Sequence, residues 1–193
     1  TAMKNIAILA SGNGTNCDNI IRYFHNDSNI RVAMVLTNNP KAKVIEKART
    51  QGVKVYIMAK EEFNDKEQLL PILAENSIEL IVLAGFLLFL PEFLVSAYPN
   101  GIINIHPSLL PKYGGKGMYG MHVHEAVKAN SERESGITIH YVNNEYDRGK
   151  IIEQHTTPLS PEDTPEDIAT KVHALEYKYF PAAIEKVLSE DRK

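Results

Sequence analysis

Asn104-Ile105-His106-Pro107-Ser108-Leu109-Leu110-Pro111 is the stretch on which the reading of the fold turns. Ile102 and Ile103 lead into it, so it reads as a buried strand that stops where the prolines begin. Strand side chains alternate between faces, which puts Asn104 and His106 on the same face at the strand's end. An amide then stands beside an imidazole that titrates near neutral pH. Pro107 has no N–H, fixes its own φ and keeps His106 out of helix; Pro111 closes a stiff loop. Taken alone, the stretch fits a structural histidine beside a turn as well as it fits a reactive pair.

Toward the amino terminus, strands and helices alternate. Residues 80–84 form a continuously apolar strand of the kind covered on both faces. Gly85-Phe86-Leu87-Leu88-Phe89-Leu90 then carries apolar side chains out of the sheet, as core or as the wall of a flat aromatic ligand. Pro91 suits the first turn of a short helix. Further back, residues 5–10 make a strand, followed at once by Ser11-Gly12-Asn13-Gly14-Thr15-Asn16 and a helix bearing Ile20, Ile21 and Phe24. Strand, glycine turn and helix present backbone N–H groups to an anion, although the turn matches neither the dinucleotide fingerprint nor a P-loop lysine signature. A tight structural turn is the alternative. Strands over 30–37 and 53–57, a helix over 42–51 ended by Gly52, and a helix from Asp65 carrying Leu69, Leu70 and Leu73 complete this half.

Such alternation implies right-handed crossovers and a mostly parallel twisted sheet with helices on both faces: an α/β fold, expected as a single domain over 3–193. In these sheets ligands gather outside the carboxyl ends of strands. The glycine turn, the 85–90 run and the Asn104–His106 strand end all lie at carboxyl ends.

Toward the carboxyl terminus, residues 113–120 hold four glycines and read as a flap or a surface loop. A helix through Val123 and Val127 follows. His122 and His124 invite a metal reading with His106, but two residues apart on a helix they share no face, and no metal site is expected. Residues 135–142 and 151–158 form an antiparallel hairpin across the polar turn that holds Asn143 and Asp147. Thr164-Pro165-Glu166-Asp167 starts the last helix, whose buried stripe is expected at Ile168, Val172, Leu175 and Tyr179, flanked by His173 and Glu176. Pro181 should kink or restart that helix.

The composition is that of an ordinary globular protein: 193 residues, 44% hydrophobic and 23% charged. A net charge of −3 without a basic cluster speaks against a general nucleic-acid or membrane role. The 80–90 run is too short to span a bilayer. The one cysteine, Cys17, permits no internal disulfide, fits a cytoplasmic protein and reads as a small buried hydrophobe. Thr1 and Ala2, ahead of Met3, read as added residues.

Three motifs now stand in order: Ser11-Gly-Asn-Gly-Thr-Asn16, Asn104-Ile-His106-Pro-Ser-Leu-Leu-Pro111 and Asp147-Arg-Gly149. Together they resemble the folate-dependent formyltransferases, over essentially the whole chain from Met3. The wording from His106 to Tyr113 is most similar to the branch that formylates glycinamide ribonucleotide in purine biosynthesis. The resemblance implies transfer of a formyl group from 10-formyltetrahydrofolate, as cosubstrate, to the amine of glycinamide ribonucleotide through a tetrahedral intermediate. The alternative is another folate-dependent formyltransferase or a 10-formyltetrahydrofolate deformylase. By the same resemblance Asn104, His106 and Asp147 are the catalytic trio, with His140 behind them. Gly14, Thr15 and Asn16 would take the substrate phosphate, with Glu176 toward the ribose. The folate would meet Lys66, Leu87, Leu88, Phe89, Leu90, Asn104, Asn143 and Asp147. Leu88 and Lys66 stand where many members carry arginine; a lysine keeps the charge and loses the bidentate fork.

Overall fold

The computed structural model describes residues 2–144 and 149–190. Its strands are β1 (Lys4–Leu9), β2 (Ile30–Thr37), β3 (Lys54–Ile57), β4 (Ile78–Leu83), β5 (Ile102–His106), β6 (Glu134–Tyr141) and β7 (Ile151–Pro158). Its helices are α1 (Thr15–Phe24), α2 (Val44–Thr50), α3 (Lys60–Phe63), α4 (Lys66–Glu75), α5 (Glu92–Ala97), α6 (Met121–Ala129) and α7 (Pro165–Ser189). The seven strands run in the order β3-β2-β1-β4-β5-β6-β7, the α/β architecture expected from the alternation of elements. Two compact units divide the chain, Thr1–Ile103 with Val187–Lys193, and Asn104–Lys186.

In the first unit β1 pairs in parallel with both β2 and β4, and β2 with β3. From β1 the chain builds outward to β2 and β3, then begins again with β4 on β1's other side. The order therefore reverses between β1 and β4, where open α/β sheets place their ligand crevice. β1, β2 and β4 are buried on both faces, which is why their sequences are continuously apolar rather than alternating. α1 buries Cys17, Ile20, Ile21 and Phe24, one face at helical spacing. Burial pushes the Cys17 thiol up to about 12, with the Asp18 carboxylate adding to it, so this cysteine is an inert core group.

α3 has no counterpart in the sequence reading. One buried side chain, Phe63, anchors it, and a single anchor leaves no periodicity to detect. The Glu62 side chain accepts from the Ala59 N–H at 3.1 Å and closes its first turn.

In the second unit β6 and β7 form the expected antiparallel hairpin, in register from Glu134↔Pro158 to His140↔Ile151, with a shift between Ile139 and His140. Residues 135–140 are all buried, so β6 is covered on both faces. α7 opens on a reciprocal cap: the Thr164 hydroxyl accepts from the Asp167 N–H at 3.1 Å, and the Asp167 carboxylate accepts from the Thr164 N–H at 2.9 Å.

Two expectations for this helix change. It runs through Pro181 as one element and does not restart there. Its buried stripe follows Ile168, Val172, Glu176 and Phe180, spaced by four, while Leu175 and Tyr179 are only half-buried on its shoulder. Glu176 therefore lies within the buried row and not beside it. Tyr179 meets the His155 ring in a stack at 3.5 Å. Among the described residues no helix is long and apolar enough to cross a membrane.

Candidate active site

Asn104 and His106 close β5, where the sequence places them. Asn104 is half-buried and His106 is 4% exposed. His140 lies opposite, on β6. Its Nδ1–H donates to the Tyr141 carbonyl at 3.0 Å, so its Nε2 is the accepting nitrogen and takes a hydrogen bond from the Asn104 amide Nδ2 at 3.2 Å. This bond fixes which way the Asn104 amide faces and leaves its second N–H to act as a donor. His106 Nε2 lies 2.7 Å from the Tyr113 carbonyl. A carbonyl only accepts, so Nε2 is the protonated nitrogen of the neutral ring.

The loop after β5 is pinned from β6 and β7. The Thr138 hydroxyl donates to the Ser108 carbonyl at 2.7 Å and accepts from the Leu110 N–H at 3.0 Å. Gln154 Nε2 reaches both that hydroxyl, at 2.9 Å, and the Leu110 carbonyl, at 3.0 Å. The Ser108 hydroxyl closes the loop on itself by donating to the Lys112 carbonyl at 2.7 Å. Gly136 makes this approach possible, since a Cβ there would stand 2.0 Å from the His155 carbonyl oxygen and 2.6 Å from Leu109 Cδ2. The polar loop groups thus find partners, as buried backbone must.

A second group of titratable side chains gathers between α6 and α7. His124 is 2% exposed, and among the described residues its Nδ1 has no hydrogen-bond partner. Burial holds its pKa down to about 4; the nearby His173 and His106 push the same way against Glu176, so the ring is neutral at pH 7. His173 Nδ1 donates to the Glu176 carboxylate at 3.4 Å, and that bond raises the His173 pKa despite partial burial. Glu176 itself is buried at 4% exposure.

In the first unit the carboxyl ends of β1, β2 and β4 are tied together by one hydroxyl. Ser11 Oγ donates to Asn38 Oδ1 at 2.7 Å and accepts from the Leu87 N–H at 2.9 Å, while the Ser11 N–H donates to the Gly85 carbonyl at 3.1 Å. The glycine turn follows. Gly14 sits at φ +74, and a Cβ on it would stand 2.5 Å from Val44 Cγ2, so both conformation and contact demand glycine. At the start of α1 the Asn13 side-chain oxygen accepts from the Thr15 N–H at 3.2 Å, and the positive end of the helix dipole is directed at the turn. The 85–90 run alternates. Leu87 is 63% and Phe89 52% exposed, Leu88 is half-buried and Leu90 is buried. Two large apolar side chains in solvent at a strand's carboxyl end form a surface suited to a flat ring. Lys66 is exposed at the first position of α4.

Within the second unit, then, Asn104, His106 and His140 come together at the end of β5, and Glu176 pairs with His173. Gly14, Thr15, Asn16, Leu87, Leu88, Phe89, Leu90 and Lys66 all belong to the first unit. Asn143 is exposed just past β6. Asp147 lies outside the described residues. Gly149, which follows it, is required by close approach, because a Cβ there would overlap the Tyr141 carbonyl at 1.5 Å. Among the described residues no group of three His, Cys, Asp or Glu side chains could hold a metal ion. The reading from sequence missed Ser11 as a clamp, the Tyr113 carbonyl as the His106 partner and Thr138–Gln154 as the loop's anchor. The one signal that could have found any of them is strand alternation, which puts Thr138 on the same face as His140.

A reversing parallel sheet with a glycine turn after its first strand and an amide–imidazole pair at a later strand end defines a class. The chain belongs to the formyl transferase family, whose model matches residues 4–184. It is 38% identical to the chloroplastic phosphoribosylglycinamide formyltransferase of Arabidopsis thaliana over 97% of its own length, and spans 66% of that protein and 62% of its Vigna unguiculata counterpart. With the phosphoribosylglycinamide formyltransferase of Bacillus subtilis it shares 34% identity, covering 96% of this chain and 95% of that one. Among solved structures, that of phosphoribosylglycinamide formyltransferase from Anaplasma phagocytophilum matches with a TM-score of 0.89 at 31% identity, covering 97% of this chain and 88% of that one. The Bacillus halodurans structure matches at 0.87 with 35% identity, over 98% and 97%.

Proposed function

We propose that the chain transfers the formyl group of 10-formyltetrahydrofolate to the amine of glycinamide ribonucleotide. The observation that carries this reading is the pair of hydrogen bonds at the end of β5, Asn104 to His140 and His106 to the Tyr113 carbonyl. They hold an amide donor and a titrating imidazole in fixed orientation on one strand end. The relatives' names give the same acceptor and a formyl transfer.

In this reading the amine attacks the formyl carbon, a C–N bond forms and the formyl oxygen gains negative charge. The second Asn104 N–H and a protonated His106 stabilise that charge; electrostatic stabilisation of this kind is usually the largest part of such catalysis. Collapse breaks the bond to the folate nitrogen, which takes up a proton as the attacking nitrogen loses one. His106 moves that proton through Nδ1, Nε2–H being committed to Tyr113. Asp147 supplies the carboxylate that favours the charged ring. A single acid–base group of this type contributes ~10²–10⁴ in rate.

Gly14, Thr15 and Asn16 take the substrate phosphate at the start of α1, and Glu176 accepts from the ribose. Exposed Leu87 and Phe89, with Leu88, Leu90 and Asn143, meet the pterin side of the folate, and Lys66 meets its glutamate tail.

Acceptor dependence tests the proposal. Purified protein with 10-formyltetrahydrofolate should release deformylated folate only when glycinamide ribonucleotide is added. Formate released without any amine, or transfer to an amino sugar in its place, overturns the reading.

A further inference from the structure

We infer that Tyr113 and Glu132 are positioning residues for His106, acting as a strut from the end of α6 to the imidazole. The inference rests on the reading of His106 as the catalytic base and acid.

His106 Nε2–H donates to the Tyr113 backbone carbonyl at 2.7 Å, so the ring's tautomer and tilt depend on where that carbonyl is held. Tyr113 adopts a left-handed conformation, φ +57, which is unfavourable for a non-glycine residue and persists only where the surroundings enforce it. The surroundings here are specific. The Tyr113 hydroxyl donates to Glu132 Oε1 at 2.9 Å, and the Lys112 ammonium lies 3.6 Å from the same oxygen. Glu132 is in turn tied to α6, its N–H donating to the Val127 carbonyl at 3.3 Å. Beside the tyrosine, between Leu109, Val127 and Glu132, lies a cleft of about 240 Å³. Packing therefore leaves this side of the ring unsupported, and the bond to Glu132 supplies the restraint. Partial burial and the Glu132 carboxylate raise the Tyr113 pKa, so its hydroxyl remains a donor at any working pH. The strut thus runs from Val127 through Glu132 and the Tyr113 side chain to the carbonyl that orders His106.

The test is a double-mutant cycle in the formyl-transfer assay, with His106→Ala alongside. Tyr113→Phe removes one oxygen atom and Glu132→Ala its acceptor. Each should lower kcat by about tenfold to a hundredfold, the range that a misplaced catalytic group costs, with KM for both substrates unchanged. Combining them should cost no more than either alone, because one bond is being broken twice. Glu132→Gln, whose amide oxygen still accepts from the hydroxyl, should restore kcat. His106→Ala should be slower by ~10²–10⁴. If it is while Tyr113→Phe or Glu132→Ala keeps full kcat, or if their losses multiply, the strut is refuted and the catalytic reading stands. A His106→Ala variant that turns over at the wild-type rate refutes the reading beneath it.

Discussion

Lowering the pH should destabilise the folded chain through His124. In the unfolded chain this imidazole titrates near 6.5; folded, burial and then His173 hold it down to about 4. The folded value lies below the unfolded one, so beneath pH 6.5 the unfolded chain binds a proton that the folded chain refuses. Stability present above 6.5 is therefore lost as the pH falls toward 4. Two and a half units at about 1.4 kcal/mol each amount to roughly 3 kcal/mol, of which about 2 kcal/mol falls above pH 5, where carboxylates remain ionised. His173 acts in the opposite sense: Glu176 raises its folded pKa, so its contribution is present below the unfolded value and fades as the pH rises through the folded one. A His124→Leu variant isolates the effect, because it removes the titrating ring and leaves His173 and Glu176 in place. Urea unfolding of both proteins at steps from about pH 7.5 to about pH 5 should show the wild type losing roughly 2 kcal/mol more than the variant. Parallel curves for the two would mean that His124 titrates normally and that the burial argument is wrong.

The loop after β5 should fail without Thr138. Thr138→Val leaves the Ser108 carbonyl and the Leu110 N–H short of a partner and should cost about 2–3 kcal/mol in chemical denaturation. Gly14→Ala should cost about 2–3 kcal/mol through its positive φ and the approach of Val44; Val44→Ala in the same chain should recover part of the loss, which a thermal melt reads directly. In the proposed mechanism Asp147→Asn should lower the transfer rate and move the ionisation of His106 in the pH–rate profile to lower pH, a carboxylate partner being what favours a charged ring. A profile that stays in place would leave Asp147 a residue of the turn.

The features legible in the sequence are those written in local pattern. β1, β2 and β4 are continuously apolar because both of their faces are covered, and Gly14 marks a turn because no other residue tolerates its φ beside Val44. Asn104 and His106 are legible as a pair because strand geometry alone puts residues two apart on one side. What escaped depends on partners distant in the chain. The Ser11 hydroxyl is ordinary until Asn38 and Leu87 are brought to it. The Tyr113 carbonyl has no side-chain signature, since every residue carries one. Glu176 looked like the flank of an amphipathic helix, because an acidic residue is not counted in an apolar stripe; the spacing from Val172 to Phe180 nevertheless carries it into the buried row. The 85–90 run shows the converse error of hydropathy. Leu87 and Phe89 are apolar and exposed, which composition alone assigns to core.

Turnover and binding measured separately on His106→Ala test the account most directly. In single-turnover assays with 10-formyltetrahydrofolate and glycinamide ribonucleotide, the wild type should transfer the formyl group. The variant should be slower by ~10²–10⁴, the contribution of one acid–base group. Calorimetry should find its affinity for each substrate unchanged. A variant that transfers at the wild-type rate, or one whose loss is entirely in affinity, would contradict a proton-handling imidazole at the end of β5.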